Sequence, residues 1–351
     1  MKIVFILDEI WDSALTHYAL GVYDALKKNN EVTLFCLKDS FVDNKIDDKK
    51  VYIKQLRNKN IFKSLSAFLD LARKLRNELP DRVFTILGDA TFFACLLKKT
   101  LNFEIFRIFG ENKRLKSPKG CIDYLILPSD KLKINIDKKK TKDIFVIRGF
   151  ADDEKFKFSK EGRLRIRKEF DIDDSSIVFG AVGRLDAVKG YPMLLTSFSN
   201  VKNKNSFLVI VGEEKGESLD NLKAISENLK IEDRVIFIAE RRRDISDIMS
   251  AFDIGVVSSV GSENIARVFF EFLLVGIPIV TTRVGMLKEV ANDKFSISAN
   301  PNEMELSEAM NSILDKDLKS MRENALEISK LYSKKQFNAS VEDILNFHLD
   351  K

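Results

Sequence analysis

Histidine is nearly absent from this 351-residue chain, which has only His17 and His348. Imidazole metal sites and Ser-His-Asp hydrolysis therefore have almost no material to work with. Cysteine is equally sparse. Cys36, Cys95 and Cys121 are odd in number and far apart, which fits neither a disulfide framework nor a zinc site and points to a reducing compartment. Glycine (15) and proline (6) are few, and no low-complexity tract or short repeat stands out. Long apolar runs are missing too. The longest, from Phe269 to Val280, is interrupted by Glu271 and is too short to span a bilayer. The opening stretch MKIVFILDEIWD reaches Asp8, Glu9 and Asp12 too soon for a secretory signal. These features describe a cytoplasmic globular protein. No basic motif is interleaved with aromatics, so nucleic acid is not an expected partner.

The chain is too long for one ordinary core, so two domains are expected. Its charge is uneven. Residues 1–150 hold 29 Lys+Arg against 19 Asp+Glu, a net +10 within a chain whose total is +5. Either the first half meets an anionic partner or it carries a solvated Lys-rich surface.

Short apolar runs alternate with helical patterns throughout. KIVFIL (2–7), EVTLFC (31–36), RVFTIL (82–87), EIFRIF (104–109), DYLIL (123–127) and IFVI (144–147) occupy the first half. IVFGAV (177–182), FLVIV (207–211), RVIFIA (234–239), DIGVV (253–257) and PIVTT (278–282) occupy the second. Continuous rather than alternating hydrophobicity suits parallel strands covered on both faces. Helical patterns at 14–28, 61–78, 188–200, 217–229 and 263–275 complete repeated βαβ units. The series occurs twice around a polar stretch, 150–175. The reading is α/β, with two doubly wound, Rossmann-like parallel-sheet domains facing a cleft. They span 1–155 and 156–335, and a C-terminal helix, 336–351, packs back on the first domain. Open α/β sheets bind ligands beyond the carboxyl ends of their strands, so the site belongs on loops that follow strands.

Three such loops carry chemistry in the second half. GRLDAVKG brings Gly183, Arg184 and Lys189; VGEEKG spans 211–216; SSVGSENIARVFFE follows DIGVV. In the third, a helix is expected to start at Ser262 or Glu263, offering the N–H groups of Asn264, Ile265 and Ala266 to an anion. Arg184 and Lys189 would add positive charge to the same anion. Glu271 poses a puzzle, because an isolated buried carboxylate is costly. It lies eight residues beyond Glu263, roughly 12 Å along a continuous helix, and could accept from adjacent hydroxyls such as those of a ribose. Glu263 could accept from hydroxyls at the other end. The set suits an elongated ligand of sugar, diphosphate and ribose.

GAVGRLDAVKG, LVIVGEEKG, EDRVIFIAE, SAFDIGVVSS, the paired glutamates and GIPIVTTRVGMLKEV, in that order, resemble the retaining glycosyltransferases of family four, which have the GT-B fold. The resemblance covers about residues 178–300, and VIRGFADDEKF (146–156) resembles the family's entry into its second domain. It implies sugar transfer from a nucleotide-sugar donor to a glycan or lipid-linked acceptor with retained configuration, in cell-envelope glycolipid, lipopolysaccharide or polysaccharide assembly. By position, Arg184 and Lys189 would neutralise the leaving diphosphate, Glu263 would hold the donor sugar and Glu271 the ribose. Fixed cations would serve in place of a divalent metal, so no metal or other cofactor is expected. The D-x-D of Asp171 and Asp173 lies in the polar junction and reads as loop capping.

The sequence also departs from that family. Its first loop, DEIWDSALTHY (8–18), has no glycine; Ser13 looks like a helix N-cap, Trp11 would face the acceptor, and His17 is structural. Phe109 stands where members carry a histidine near the donor sugar. Asp89, at a strand end, either contacts sugar hydroxyls in a catalytic role or caps a helix. After Glu263 the usual glycine gives way to Asn264-Ile265-Ala266-Arg267, and Arg267 reaches either a phosphate or solvent. Residues 60–79 form a basic amphipathic pattern, and KRLKSPKG (113–120) and DKKKTK (137–142) add charge. These either dock the protein peripherally on the anionic inner face of a membrane or belong to a helix packed on the sheet and two solvated loops. Two rival readings remain: a non-catalytic GT-B-like binding subunit, and a nucleotide-sugar epimerase, which would need no acceptor.

Overall fold

The computed structural model describes residues 1–346 apart from 57–58, 118–119, 138, 140 and 262. Ser262, His348 and parts of the two basic loops thus lie outside the described residues. Contacts divide the chain into one unit of Met1–Gly149 with the residues from Lys335 onward, and a second unit of Phe150–Lys334.

The first unit alternates β1 (Lys2–Leu7), α1 (Ala14–Leu26), β2 (Glu31–Leu37), α2 (Phe41–Lys45), β3 (Lys50–Ile53), α3 (Ile61–Glu78), β4 (Arg82–Thr85), α4 (Gly88–Leu101), β5 (Glu104–Ile108), β6 (Tyr124–Leu127) and β7 (Asp143–Val146). All seven strands are parallel, in the order β3-β2-β1-β4-β5-β6-β7. β1 pairs Ile3 with Val32 on one side and with Arg82 on the other. Chain direction across the sheet therefore reverses between β1 and β4, the point at which doubly wound sheets open a crevice. The strand runs are apolar because both faces are covered: Val4, Ile6, Phe35, Val83 and Ile105 lie under α3 and α4 with Leu71, Leu75 and Ala94. On the sheet itself, Phe84 stacks between Phe5 and Phe106, with ring centroids 5.4 and 4.7 Å away.

The second unit runs α5 (Lys160–Glu169), β8 (Ile177–Val182), α6 (Tyr191–Ser199), β9 (Ser206–Val211), α7 (Leu219–Asn228), β10 (Val235–Ile238), α8 (Ile245–Ser250), β11 (Ile254–Val257), α9 (Arg267–Val275), β12 (Ile279–Thr282), α10 (Leu287–Val290), β13 (Ser296–Ala299), α11 (Glu303–Ser312) and α12 (Leu318–Ser329). Its parallel sheet is ordered β10-β9-β8-β11-β12-β13, so the reversal falls between β8 and β11. α5 occupies part of the polar junction, and the D-x-D follows it. Asp171 takes a left-handed turn at φ 53°, and Asp173 accepts from the Ser175 backbone N–H at 2.7 Å.

α13 (Lys334–Asn346) packs on the first unit. Phe337 meets Tyr18 edge-on at 5.4 Å, and the Arg82 guanidinium donates to the Leu345 carbonyl at 3.4 Å.

Three expectations are corrected. The short edge strands β3 and β13 were not anticipated. The helix expected over 263–275 begins only at Arg267, because Ala266 sits in the left-handed region at φ 46° and breaks the helical path. Cys95, on α4, and Cys121, before β6, form a disulfide with Cα atoms 5.6 Å apart, and buried Cys36 stays free. The 26-residue separation hid a close approach that the parallel sheet creates.

Candidate active site

In the second unit every strand runs the same way, so the loops after β8, β11 and β12 emerge at one edge of the sheet. Two of them flank the reversal between β8 and β11. The loop after β8 leaves Val182 through Gly183 and ends at Lys189, whose backbone N–H donates to the Asp186 side chain at 3.2 Å. The loop after β11 carries Ser258 to Ala266. Across the reversal, the Lys189 ammonium donates to Glu263 Oε1, and the Ser259 hydroxyl donates to the same oxygen at 2.6 Å. Glu263 is 5% exposed, so these two donors are what makes its burial tolerable. Tyr191 closes the base of the loop with a 2.7 Å hydrogen bond to the Gly183 carbonyl. The Ser258 hydroxyl donates to the Lys189 carbonyl at 2.8 Å, and the Thr282 hydroxyl, at the end of β12, donates to the Ser259 carbonyl at 2.5 Å.

Glycine-shaped contacts hold this arrangement. A Cβ on Gly285 would lie 2.3 Å from the Glu263 carbonyl oxygen, and Gly285 itself has φ +52°. The neighbouring Met286 N–H donates to that oxygen at 2.7 Å. The loop after β12 is thus keyed to the backbone of Glu263. Gly212, after β9, leaves room for the Gly183 carbonyl, which a Cβ would approach to 1.8 Å.

Asn264, Ile265 and Ala266, all buried, lead to α9. They do not form its first turn, so the expected row of helical amides and the 12 Å helical spacing between the glutamates do not apply. Glu271 lies one turn into α9, is 5% exposed, and accepts from Arg267 Nε at 3.0 Å. That contact supplies a partner for the carboxylate that the apolar run made puzzling. Arg184 is half-exposed and pairs with Asp186 at 3.3 Å. The structure therefore brings Gly183, Lys189 and Glu263 together, adds Ser259 and Gly285, and holds Arg267 with Glu271 on the adjoining helix.

The first unit has its own site at the corresponding place. Loops after β1, β3, β4 and β5 line a cavity of about 510 Å³ that includes Asp8, Trp11, Asp89, Arg107 and Phe109. Asp8 is 9% exposed and its Oδ1 has no hydrogen-bond partner among the described residues. Burial pushes its pKa up to about 7; its own backbone N–H and, more weakly, Arg107 oppose the rise, and the charges of Asp89 and Glu9 add to it. Arg107 is 3% exposed; it donates to Thr91 Oγ1 at 2.6 Å and stands 3.7 Å from Glu111, while its Nε has no hydrogen-bond partner among the described residues. Burial pulls its pKa below the usual guanidinium value. Asp89 lies in the first turn of α4, where its charge complements the helix dipole. It also lines the cavity, so it serves both of the readings open for it. Phe109 is buried with the Arg107 guanidinium 5.6 Å from its ring centre, and Trp11 is 66% exposed. His17 joins Asp12 at 2.8 Å beside the Phe41 ring.

Asp8, Arg107, Ser259 and Gly285 were missed by sequence reasoning. Asp8 ends a strand next to the sheet reversal, and Arg107 is the one charge inside the run EIFRIF after its first residue. Both signals were present but gain meaning only once strand order is known.

Two Rossmann-like domains, each with polar loops at the reversal of its sheet, define the GT-B class of fold. Residues 162–330, just under half of the chain, match the model of the family described as Glycosyl transferases group 1. It is 26% identical over 153 residues to N-acetyl-alpha-D-glucosaminyl L-malate synthase of Bacillus anthracis, a match covering 43% of this chain and 39% of that protein. The chain thus spans about two fifths of the length of that relative. Its fold is similar to that of a glycosyltransferase from Rickettsia africae ESF-5, with a TM-score of 0.84 at 18% identity over 98% of this chain and 97% of the other. It is also similar in fold to Anabaena Alr3699/HepE in complex with UDP, with a TM-score of 0.83 at 18% identity over 99% and 100%.

Proposed function

We propose that this protein transfers a sugar, with retained configuration, from a nucleotide-sugar donor bound by the second unit to a glycan or lipid-linked acceptor bound by the first. The observation that carries this reading is the Lys189–Glu263–Ser259 cluster at the β8/β11 reversal, where doubly wound sheets take their ligands. Lys189 and Arg184 supply fixed cations for the diphosphate whose charge grows as the glycosidic bond breaks, and they take the place of a divalent metal. Glu263 accepts from hydroxyls of the donor sugar, and Lys189 exchanges this carboxylate for phosphate when donor enters. Asn264, Ile265 and Gly183 bring backbone close to the ligand, Glu271 accepts from the ribose hydroxyls, and Arg267 orients it. UDP in the Anabaena protein supports a nucleotide ligand for this fold.

The acceptor acts in cell-envelope assembly at the inner membrane face. Support comes from α3, which leaves Ile61, Phe62, Leu65 and Leu69 more than half exposed on a helix that also carries Lys63, Arg73 and Arg76. No helix among the described residues is long and apolar enough to cross a membrane, so contact through α3 would be peripheral.

A thermal-shift and calorimetric panel of UDP-, GDP- and ADP-sugars tests the donor reading, since a ligand of the folded state raises its stability. One nucleotide class is expected to bind. Glu271→Ala should weaken that binding about tenfold or more, and Arg184→Ala with Lys189→Ala should abolish turnover. Unchanged affinity in the first variant removes the ribose role, and an active double variant removes the phosphate role. NMR of the product's anomeric centre tests retention, and an acceptor-free product would favour an epimerase.

A further inference from the structure

The cavity in the first unit has a chemistry more specific than that of an acceptor site in general. Its lining divides by loop. The ends of β1 and β4, which flank the sheet reversal, contribute Asp8, Glu9 and Asp89. The segment that continues from β5 contributes Arg107, Lys113, Arg114 and Lys116. Carboxylates thus gather where β1 and β4 end, and cations on the single stretch 107–116.

Two atoms on these elements are buried without hydrogen-bond partners among the described residues: Oδ1 of Asp8 and Nε of Arg107. A buried polar atom left unsatisfied costs about 1–3 kcal/mol, more when charged, and both side chains line the cavity. One wants a donor and the other an acceptor. The three other cations are exposed, and Glu111, the one acid on the cationic segment, is engaged at 3.7 Å with Arg107. Phe109 and the exposed indole of Trp11 add apolar faces of the kind on which sugar rings rest.

We infer that this cavity selects a hydroxylated acceptor bearing a fixed negative charge, a sugar or polyol with a carboxylate or phosphate, whose anion meets Arg107, Lys113, Arg114 and Lys116 while a hydroxyl donates to Asp8. A neutral sugar would satisfy Asp8 and leave the Arg107 side unmet. An anion without a hydroxyl would do the reverse. This inference rests on the glycosyltransferase reading for the word acceptor, but the binding preference belongs to the first unit alone.

Trp11 is the only tryptophan in the chain and lines the cavity, so its fluorescence reports occupancy directly. The 351-residue chain is titrated with glucose, glucuronate, glucose 6-phosphate and inorganic phosphate, and binding of UDP-, GDP- and ADP-sugars is measured on the same preparations. Glucuronate or glucose 6-phosphate is expected to bind at least tenfold more tightly than either glucose or phosphate alone. The surface variant Lys113→Ala/Arg114→Ala/Lys116→Ala, whose side chains are exposed and whose fold is not at risk, should erase most of that advantage. Asp8→Asn should weaken the sugar-containing probes and leave inorganic phosphate unchanged. Equal binding of charged and neutral sugars, binding of none, or an unchanged preference in the triple variant overturns the inference. Glucuronate binding without glucose 6-phosphate binding assigns a carboxylate, and the converse assigns a phosphate. If the parent protein shows no such preference while its nucleotide binding is intact, the anionic acceptor alone is refuted. A preserved preference with no nucleotide binding refutes the glycosyltransferase reading instead.

Discussion

At the scale of single residues, Asp8 is the most strongly perturbed carboxyl of the first unit, and the sign of its effect can be worked out. Its pKa rises from 3.8 to about 7 on folding, so the folded state prefers the protonated form. Below pH 4 the group costs nothing. As pH climbs from about 4 to about 7 the unfolded chain ionises freely while the folded one resists, and stability falls by as much as about 4 kcal/mol, with no further change above. Asp8→Asn removes this dependence. Its stability relative to the parent is expected to rise between pH 4 and pH 7 in urea unfolding followed by Trp11, and to level off above. A variant that tracks the parent at every pH would show that the carboxyl is solvated. Glu263 and Glu271 show the opposite way of keeping a buried carboxylate: Lys189 with Ser259, and Arg267, stand beside them as donors.

At the scale of elements, the sheets were readable because their strands are unbroken apolar runs, and β1 and β8 occupy the residues expected of them. β3 and β13 were not readable: KVYI and SISA are four-residue edge strands with too little hydrophobicity to stand out. The start of α9 was misread for a different reason. SENIAR has the composition of a capped helix start, but the tertiary contact that pins the Glu263 carbonyl under Gly285 and Met286 draws the chain into a loop ending at left-handed Ala266. Lys189 and Glu263 could be named from sequence through motif order, whereas their pairing across 74 residues of chain depends on β8 and β11 being neighbours. The same contact yields a prediction. Gly285→Ala places a methyl group against backbone at a positive φ, with no flexible side chain to yield. It should destabilise the second unit by about 1–3 kcal/mol and weaken nucleotide-sugar binding by displacing Glu263. An alanine variant of parental stability and affinity would show that the two loops are not keyed together.

At the scale of the molecule, the chain closes its first unit twice. α13 returns to it after the second unit is complete, bringing Phe337 to Tyr18 and the Leu345 carbonyl to Arg82, and the Cys95–Cys121 bridge ties α4 to the segment before β6. The net charge of +10 in residues 1–150 loads this same unit with cations that repel one another when no anion is bound. The bridge closes a loop of 26 residues, and chain-entropy arguments put its worth at about 3 kcal/mol, felt mainly as a restriction of the unfolded chain. Trp11, in the bridged unit, reports that unit's unfolding, while nucleotide affinity reports on the second. Cys95→Ser/Cys121→Ser should therefore lower the Trp11-detected urea midpoint markedly and leave the affinity for the bound nucleotide unchanged, because the cysteines lie outside the unit that carries Lys189 and Glu263. If both readouts fell together, the two units would unfold as one cooperative body. If neither moved, the bridge would contribute nothing, and the stability of the first unit would rest on its Phe5–Phe84–Phe106 stack and on α13.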